Sequence, residues 1–299
     1  MRLVSYGDRG SEQPGVLNEN DRIVPLRPLL DAAGIPNADM NHALADLPNL
    51  RPRIDELLRD SVDSVSLDSV RLGPPVMHPG TIVAVGANYA AHINEVAALK
   101  GKLPEVPMLF SKPGTSLGGP RDPVVRPVES KELDYECELA VVIGRGGRRI
   151  TTDEALAHIA GYMIANDVSA RDIFAREMHK SPVYTQVLRG KGCDTFCPTG
   201  PWLLTADAAP DPGEFRLRTW VNDELRQDGT TAHMVFDVPT LVSSVSDSIT
   251  LRPGDIILTG TPAGVGSSLR PPVYLNPGDV VRMEISDLGV MATPIRDES

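Results

Sequence analysis

Between residues 134 and 138 the chain reads Asp-Tyr-Glu-Cys-Glu. Side chains alternate along an extended strand, so Asp134, Glu136 and Glu138 point one way and Tyr135, Cys137 and Leu139 the other. The apolar run Ala140-Val141-Val142-Ile143 that follows reads as core. Carboxylates gathered on one face at the mouth of a core strand repel one another unless a cation neutralises them. A hard divalent ion does this, and it prefers oxygen ligands. Alternate Cα atoms sit about 6.5–7 Å apart, so neighbouring carboxylates reach one ion. The plainer alternative is a solvated strand edge just before burial. A further acid, Asp167 in Asn166-Asp167-Val168-Ser169-Ala170-Arg171-Asp172, stands where an apolar stretch ends and suits another oxygen ligand. Capping of a helix N-terminus by Asp or Ser is its plainer alternative.

Two other segments carry charge that chemistry can use. In Asn88-Tyr89-Ala90-Ala91-His92-Ile93-Asn94-Glu95 the His92 and Glu95 side chains are three apart and share a helix face. A carboxylate beside an imidazole orients it and raises its basicity, as a general base requires, although surface His/Glu pairs are common. In Arg189-Gly190-Lys191-Gly192-Cys193-Asp194 the spacing lacks the frame of a phosphate-binding loop, so an NTP site is rejected. Lys191 between two glycines reads as a charge delivered to a ligand from a tight turn. Cys193 has no base placed for it locally and is not favoured as a nucleophile. Thr259-Gly260-Thr261-Pro262-Ala263-Gly264-Val265-Gly266 follows an apolar strand with small residues that let backbone approach a ligand, or that simply turn the chain.

These segments need a scaffold. Met1–Tyr6 and Arg22–Leu26 read as short strands, and the Arg51–Asp60 stretch around Ile54–Leu58 as a helix. Gly73-Pro74-Pro75 and His78-Pro79-Gly80 punctuate the chain and place a boundary near 75. The expected division is a small N-terminal α+β module, 1–75, and a catalytic body, 76–299; the plainer alternative is an N-terminal extension packed on one body. In the body, residues 81–86 read as a buried strand, 88–99 as a helix, 134–144 as one strand ending in a Gly-rich hairpin turn, and 152–168 as a helix start running into a strand. Further strands are expected at 201–205, 215–221, 256–259 and 280–285, the last two following Pro-Gly-Asp turns. The class is mixed α/β and β-dominant, without regular βαβ alternation.

Composition narrows the partners. The chain has 299 residues and a formal net charge of −11. An acidic surface repels phosphate backbones and anionic lipid, so neither nucleic acid nor membrane is the expected partner. Three scattered cysteines, Cys137, Cys193 and Cys197, form no disulfide framework or zinc motif, and no apolar leader or long apolar run is present. The expected location is the cytoplasm.

Taken in chain order, GANYAAH with its Glu, DYECELAVVIG, NDVSARD, GKGCDTFCPTGPW and TGTPAGVG with the two Pro-Gly-Asp turns resemble the fumarylacetoacetate hydrolase family across about residues 76–289. The branch most similar is the one labelled ureidoglycolate lyase or 2,4-diketo-3-deoxy-sugar-acid hydrolase. The resemblance implies a β-roll with a small N-terminal domain and a homodimer. It implies Mg²⁺ or Mn²⁺, or Ca²⁺ in some members, held at Glu136, Glu138 and Asp167. It places His92 and Glu95 on the catalytic pair, Lys191 beside them, and Arg171, Lys191 and Thr261 on substrate-contacting positions. Phe174 stands where part of the family carries a glutamine, and 175–188 is longer than in compact members.

The implied reaction is hydrolysis of the C3–C4 bond of a 2,4-dioxo acid, acylpyruvase fashion, through a pyruvate-like enolate whose charge the cation offsets. Its partner is a small anionic 2-oxo acid. Alternatives on the same site are oxaloacetate decarboxylation, isomerisation or hydration of an unsaturated oxo acid, and ureidoglycolate cleavage. A non-catalytic metal or 2-oxo-acid binding protein is the reading from another class. Segments 93–106 and 174–190 are candidate lids, and Lys112 reaches either the pocket or the surface.

Overall fold

The alternation expected from Cys137 to Ile143 holds in the computed structural model, which describes residues 1–35, 38–60, 63–96 and 100–298. Every residue of the Cys137–Ile143 strand is buried. Cys137, Leu139, Val141 and Ile143 enter one core with Phe215, Leu217, Val281 and Met283. Ala140 and Val142 face a second core with Leu30, Leu44, Leu50 and Ile54. The strand serves two cores at once, which is why its sequence, Glu138 apart, is apolar instead of half polar.

This strand lies inside an eleven-stranded mixed sheet. On one side it pairs antiparallel with Ile159–Asn166, which leads to Cys197–Thr205 and then to the N-terminal strands Arg2–Tyr6, Gln13–Leu17, Arg22–Pro25 and Val65–Ser66. On the other side come Ile256–Leu258, Ile82–Gly86 and the edge strand Met108–Lys112. A five-stranded sheet of Glu224–Thr230, Arg216–Val221, Val280–Ile285, Gly289–Asp297 and Val124–Arg126 covers one face. Helices of the first 60 residues, the longest being Leu47–Asp60, pack into the second core. The architecture is mixed α/β and strand-dominant, as expected.

Residues 1–75 extend the sheet of the body: Arg2 pairs with Leu204 and Leu3 with Leu203. Arg71 also clamps Glu12 at 2.7 Å and Asp122 at 2.6 Å.

The single strand expected over 134–144 is two pieces. Leu133–Asp134 pairs with Ser169–Ala170 in a separate two-stranded ladder, and the large sheet resumes at Cys137. At the break the Glu136 N–H donates to the Asn166 side chain at 3.0 Å, and the Glu136 carbonyl accepts from Asp167 N–H at 2.9 Å. The strict alternation of three acids on one face therefore ends with Glu136 and Glu138. After the Gly-rich turn that follows Gly144, the helix start expected at 152 is the short helix Thr152–Ala155, and the strand expected behind it is Ile159–Asn166, which returns antiparallel beside Cys137–Ile143. The helix expected over 88–99 spans Ala90–Glu95, and residues 97–99 lie outside the described residues.

Candidate active site and metal centre

The antiparallel register sets Cys137 opposite Asn166 and Glu138 opposite Ala165. Glu136 at the start of one strand therefore meets Asp167 just past the end of its neighbour. Glu136, Glu138 and Asp167 are all buried, and one oxygen from each lies within 4.8 Å of the others. Three cations converge on them. Lys191 Nζ donates to Glu136 Oε2 at 2.7 Å and to Asp167 Oδ2 at 2.6 Å. Lys112 Nζ donates to Asp167 Oδ1 at 2.6 Å and also to the Lys191 carbonyl. Arg171 spans Glu136 Oε1 at 2.5 Å and Asp134 Oδ2 at 2.9 Å.

Asp134, third of the acids that the alternation places on one face, does not join the cluster. Its carboxylate accepts the backbone N–H groups of Gly266 at 2.8 Å and Ser267 at 3.1 Å as well as the Arg171 guanidinium. It ties the glycine-rich loop to Arg171, a use of an acid that spacing alone does not reveal.

Glu138 is electrostatically different from its neighbours. Burial pushes its carboxyl well above the usual range, and the charges of Asp167 and Glu136 push it further. Burial acts the same way on Glu136, but the Lys191 and Arg171 charges outweigh it and hold that carboxyl low. Burial disfavours the Lys191 ammonium, yet Asp167 and Glu136 raise its pKa on balance. Among the described residues no cation pairs with Glu138; its Oε2 accepts from Gly260 N–H at 2.7 Å. Four carboxylates thus face three cations, and the uncompensated one is Glu138. A divalent cation would supply the missing positive charge, and three carboxylates are a hard-ion donor set. The residues present fit such an ion.

His92 and Glu95 share the first turns of the Ala90–Glu95 helix, with Nδ1 3.3 Å from Oε2. Both are partly buried. The other Glu95 oxygen accepts Gly264 N–H at 2.8 Å, and the Gly264 carbonyl accepts the Tyr135 hydroxyl at 2.9 Å. Gly264 has φ +105°, and a Cβ there would stand 2.0 Å from the Arg226 carbonyl oxygen. Only glycine lets the loop press this close, which brings its N–H to Glu95.

Thr261 is buried, and its hydroxyl donates to the Cys137 carbonyl at 3.0 Å while accepting from Gln227 at 2.8 Å. Phe174 packs against Gly190, whose missing Cβ would stand 2.6 Å from the Phe174 Cβ, and the Phe110 ring centroid is 5.2 Å from Lys191 Nζ. Cys193 donates its thiol to the Arg189 carbonyl, and burial raises its pKa, which removes the thiolate a nucleophile requires. Lys112 resolves to the pocket: its side chain is wholly buried at the end of the edge strand. A lysine at the inward phase of an otherwise exposed strand was the available signal. Asn88 carried none, yet it fixes the approach to His92 by donating to the carbonyls of Phe236 at 3.0 Å and Thr259 at 2.8 Å.

The family profile described as fumarylacetoacetate (FAA) hydrolase C-terminal matches residues 81–296. The chain belongs to the fumarylacetoacetate hydrolase family. It is 43% identical over 309 residues to an oxaloacetate tautomerase of Xenopus laevis named as mitochondrial, covering 99% of this chain and 90% of that one. It is 39% identical over 302 residues to the 2,4-didehydro-3-deoxy-L-rhamnonate hydrolase of a Sphingomonas species, covering 99% and 96%. The crystal structure of maleylpyruvate hydrolase from a Sphingobium species, in complex with manganese(II) and pyruvate, superposes with a TM-score of 0.82 at 33% identity, covering both chains fully. This member of the fumarylacetoacetate hydrolase family is accordingly an enzyme whose relatives act on small 2-oxo acids. Among the described residues no helix is long and apolar enough to cross a membrane.

Proposed function

We propose that this family member hydrolyses the C3–C4 bond of a 2,4-dioxo acid, with Mg²⁺ or Mn²⁺ held by Glu136, Glu138 and Asp167. The observation that carries the reading is the buried carboxylate triad together with the charge of His92 acting on Glu136, His92 being paired with Glu95, which docks on the Gly264 loop. The bound cation supplies Lewis-acid charge for the carboxylate and 2-oxo oxygens of the substrate. Lys191 and Arg171 supply further positive charge in an otherwise acidic protein. His92 takes a proton from the water that attacks C4. Glu95 orients the ring through Nδ1 and stabilises its charged form, while the opposite nitrogen faces the substrate. The electron pair left on C3 forms the enolate of the departing 2-oxo acid, which then takes a proton. The pyruvate in the manganese-bound relative supports a 2-oxo acid in this pocket.

The test is turnover of a panel of acylpyruvates with and without Mg²⁺, and with His92→Ala. Turnover that survives both EDTA and the substitution overturns the reading.

A second reading is favoured by the tautomerase relative aligned along nearly the whole chain: keto–enol interconversion of oxaloacetate, in which His92 moves the C3 proton, the carbonyl oxygen gains or loses one in exchange, and no carbon–carbon bond breaks. Following the enol absorbance of oxaloacetate separates the two. Fast enol decay without pyruvate or a second acid identifies the tautomerase. Pyruvate with CO₂ identifies the decarboxylase, and pyruvate with a carboxylic acid from an acylpyruvate identifies the hydrolase. The proposal also includes the division into 1–75 and 76–299 and a cytoplasmic homodimer. Limited proteolysis, fractionation and light scattering test these parts.

A further inference from the structure

Gln227 lies on Glu224–Thr230, the outer strand of the five-stranded sheet, far in sequence from every residue of the triad, and it is fully buried. A primary amide has two donor hydrogens and two acceptor lone pairs, and all four are used. Gln227 Oε1 accepts from Cys137 N–H at 3.2 Å and from the Thr219 hydroxyl at 2.8 Å. Its Nε2 donates to Thr261 Oγ1 at 2.8 Å and to the Pro262 carbonyl at 2.9 Å. Thr261 Oγ1 in turn donates to the Cys137 carbonyl at 3.0 Å.

The Cys137 N–H belongs to the peptide joining Glu136 to Cys137, and the Cys137 carbonyl to the peptide joining Cys137 to Glu138. Both peptide units between the two glutamates are therefore held by one amide, once directly and once through Thr261. The same strand meets the loop further on, where Gly229 packs on Pro262 and the Arg226 carbonyl on Gly264, the residue that holds Glu95. We propose that Gln227 is a positioning residue that sets the spacing and orientation of Glu136 and Glu138 for the cation. Sitting in the opposite sheet, it touches neither substrate nor ion and acts only through the ligand strand and the Thr261 loop.

The inference rests on the metal-dependent reading above, and the experiment separates the two. Mn²⁺ alone is titrated into the full-length chain, with free Mn²⁺ followed by electron paramagnetic resonance and folding by circular dichroism. The proteins are wild type, Gln227→Met, Gln227→Asn and, as control, Ser246→Ala. Ser246 is equally buried, and its hydroxyl bonds to Ile150 N–H and the Ser243 carbonyl, away from the triad. Residues that hold metal ligands in place typically change metal affinity by about 10–100-fold when lost. Folded Gln227→Met is expected to bind Mn²⁺ weaker by that factor. Gln227→Asn, too short to span Cys137 and Thr261, is expected to weaken it less, and Ser246→Ala to stay within about twofold of wild type. No Mn²⁺ binding by wild type overturns the metal reading itself. Wild-type binding with folded Gln227→Met within about twofold of it overturns the inference alone. Failure of both Gln227 variants to fold, with Ser246→Ala folded, also overturns it, because Gln227 is then a folding residue first.

Discussion

Lys112 Nζ stands 2.6 Å from Asp167 Oδ1 with both side chains out of solvent. The pair links the edge strand of the large sheet to the residue that follows its Ile159–Asn166 strand, and Lys112 also holds the carbonyl of Lys191. One buried cation therefore positions a carboxylate of the triad and the backbone of the second lysine.

Removing that cation leaves a buried carboxylate with less compensation. Lys112→Met keeps the volume and loses the charge. Breaking one partner of a buried pair costs roughly 3–5 kcal/mol, and urea unfolding of the metal-free protein is expected to show a loss of that order. Saturating Mg²⁺ is expected to recover part of it, because an ion that binds only the folded chain stabilises it by mass action. A variant as stable as wild type would show that Asp167 does not depend on Lys112.

Glu138 should behave in the opposite sense. Its carboxylate is buried, repelled by Asp167 and Glu136, and paired with no cation among the described residues. Glu138→Gln keeps an oxygen for Gly260 N–H and removes the charge. At neutral pH the metal-free variant is expected to unfold at a urea concentration no lower than wild type, while the stabilisation wild type gains from Mn²⁺ disappears. Retained Mn²⁺ stabilisation in Glu138→Gln would remove this residue from the ligand set.

The proton-transfer pair depends on a glycine. Gly264→Ala places a Cβ against the Arg226 carbonyl at a positive φ and moves the N–H away from Glu95. The expectation is a loss of kcat of roughly 10²-fold, within the range that a positioned base contributes, with Mn²⁺ affinity within about twofold of wild type. His92→Ala is expected to lose at least as much. Equal loss of metal binding and turnover in Gly264→Ala would mean that the loop supports the triad and not the base.

The clamp between the N-terminal strands and the body carries a pH signature. Burial pushes the Asp122 carboxyl up, but its bonds from Arg71 and from Gly119 N–H outweigh this and leave the pKa lowered. A carboxyl whose folded pKa lies below its unfolded value stabilises the fold above the unfolded pKa, near 3.9, and loses that contribution as pH falls through the folded value. Asp122→Asn is therefore expected to be about 1.5–3 kcal/mol less stable than wild type at pH 7, the scale of a hydrogen bond to a charged group. The gap should close below about pH 4. Unfolding curves at pH 7 and pH 3 measure it, and a gap unchanged with pH would assign the loss to packing.

The sequence by itself determined the buried run that follows Glu138, and the resemblance of its motifs, not their spacing, set Glu136, Glu138 and Asp167 apart from Asp134. Alternation over Cys137–Ile143 depends on neighbours in the chain, and a two-residue period reports burial on two faces wherever the strand stays extended. The resemblance of the motifs named Asp167, His92, Glu95 and Lys191; Lys191 contacts Glu136 and Asp167, the His92 charge acts on Glu136, and Glu95 contacts His92 and Gly264. Tertiary structure decided the rest. Whether Asp134 joins Glu136 and Glu138 depends on where a strand breaks, and that break is set by pairing with Asn166 and Asp167, some thirty residues on. Lys112 reads equally well as surface or pocket until the edge strand is laid beside Ile82–Gly86. Gln227 shows no pattern in its own segment, because its four hydrogen bonds reach strand Cys137–Ile143 and the 261–262 loop across the interface of two sheets, and Thr219 on the neighbouring strand of its own sheet. Local periodicity shows which way a side chain points, but a polar group's partner in the core is chosen by chain segments that only folding brings within hydrogen-bond reach.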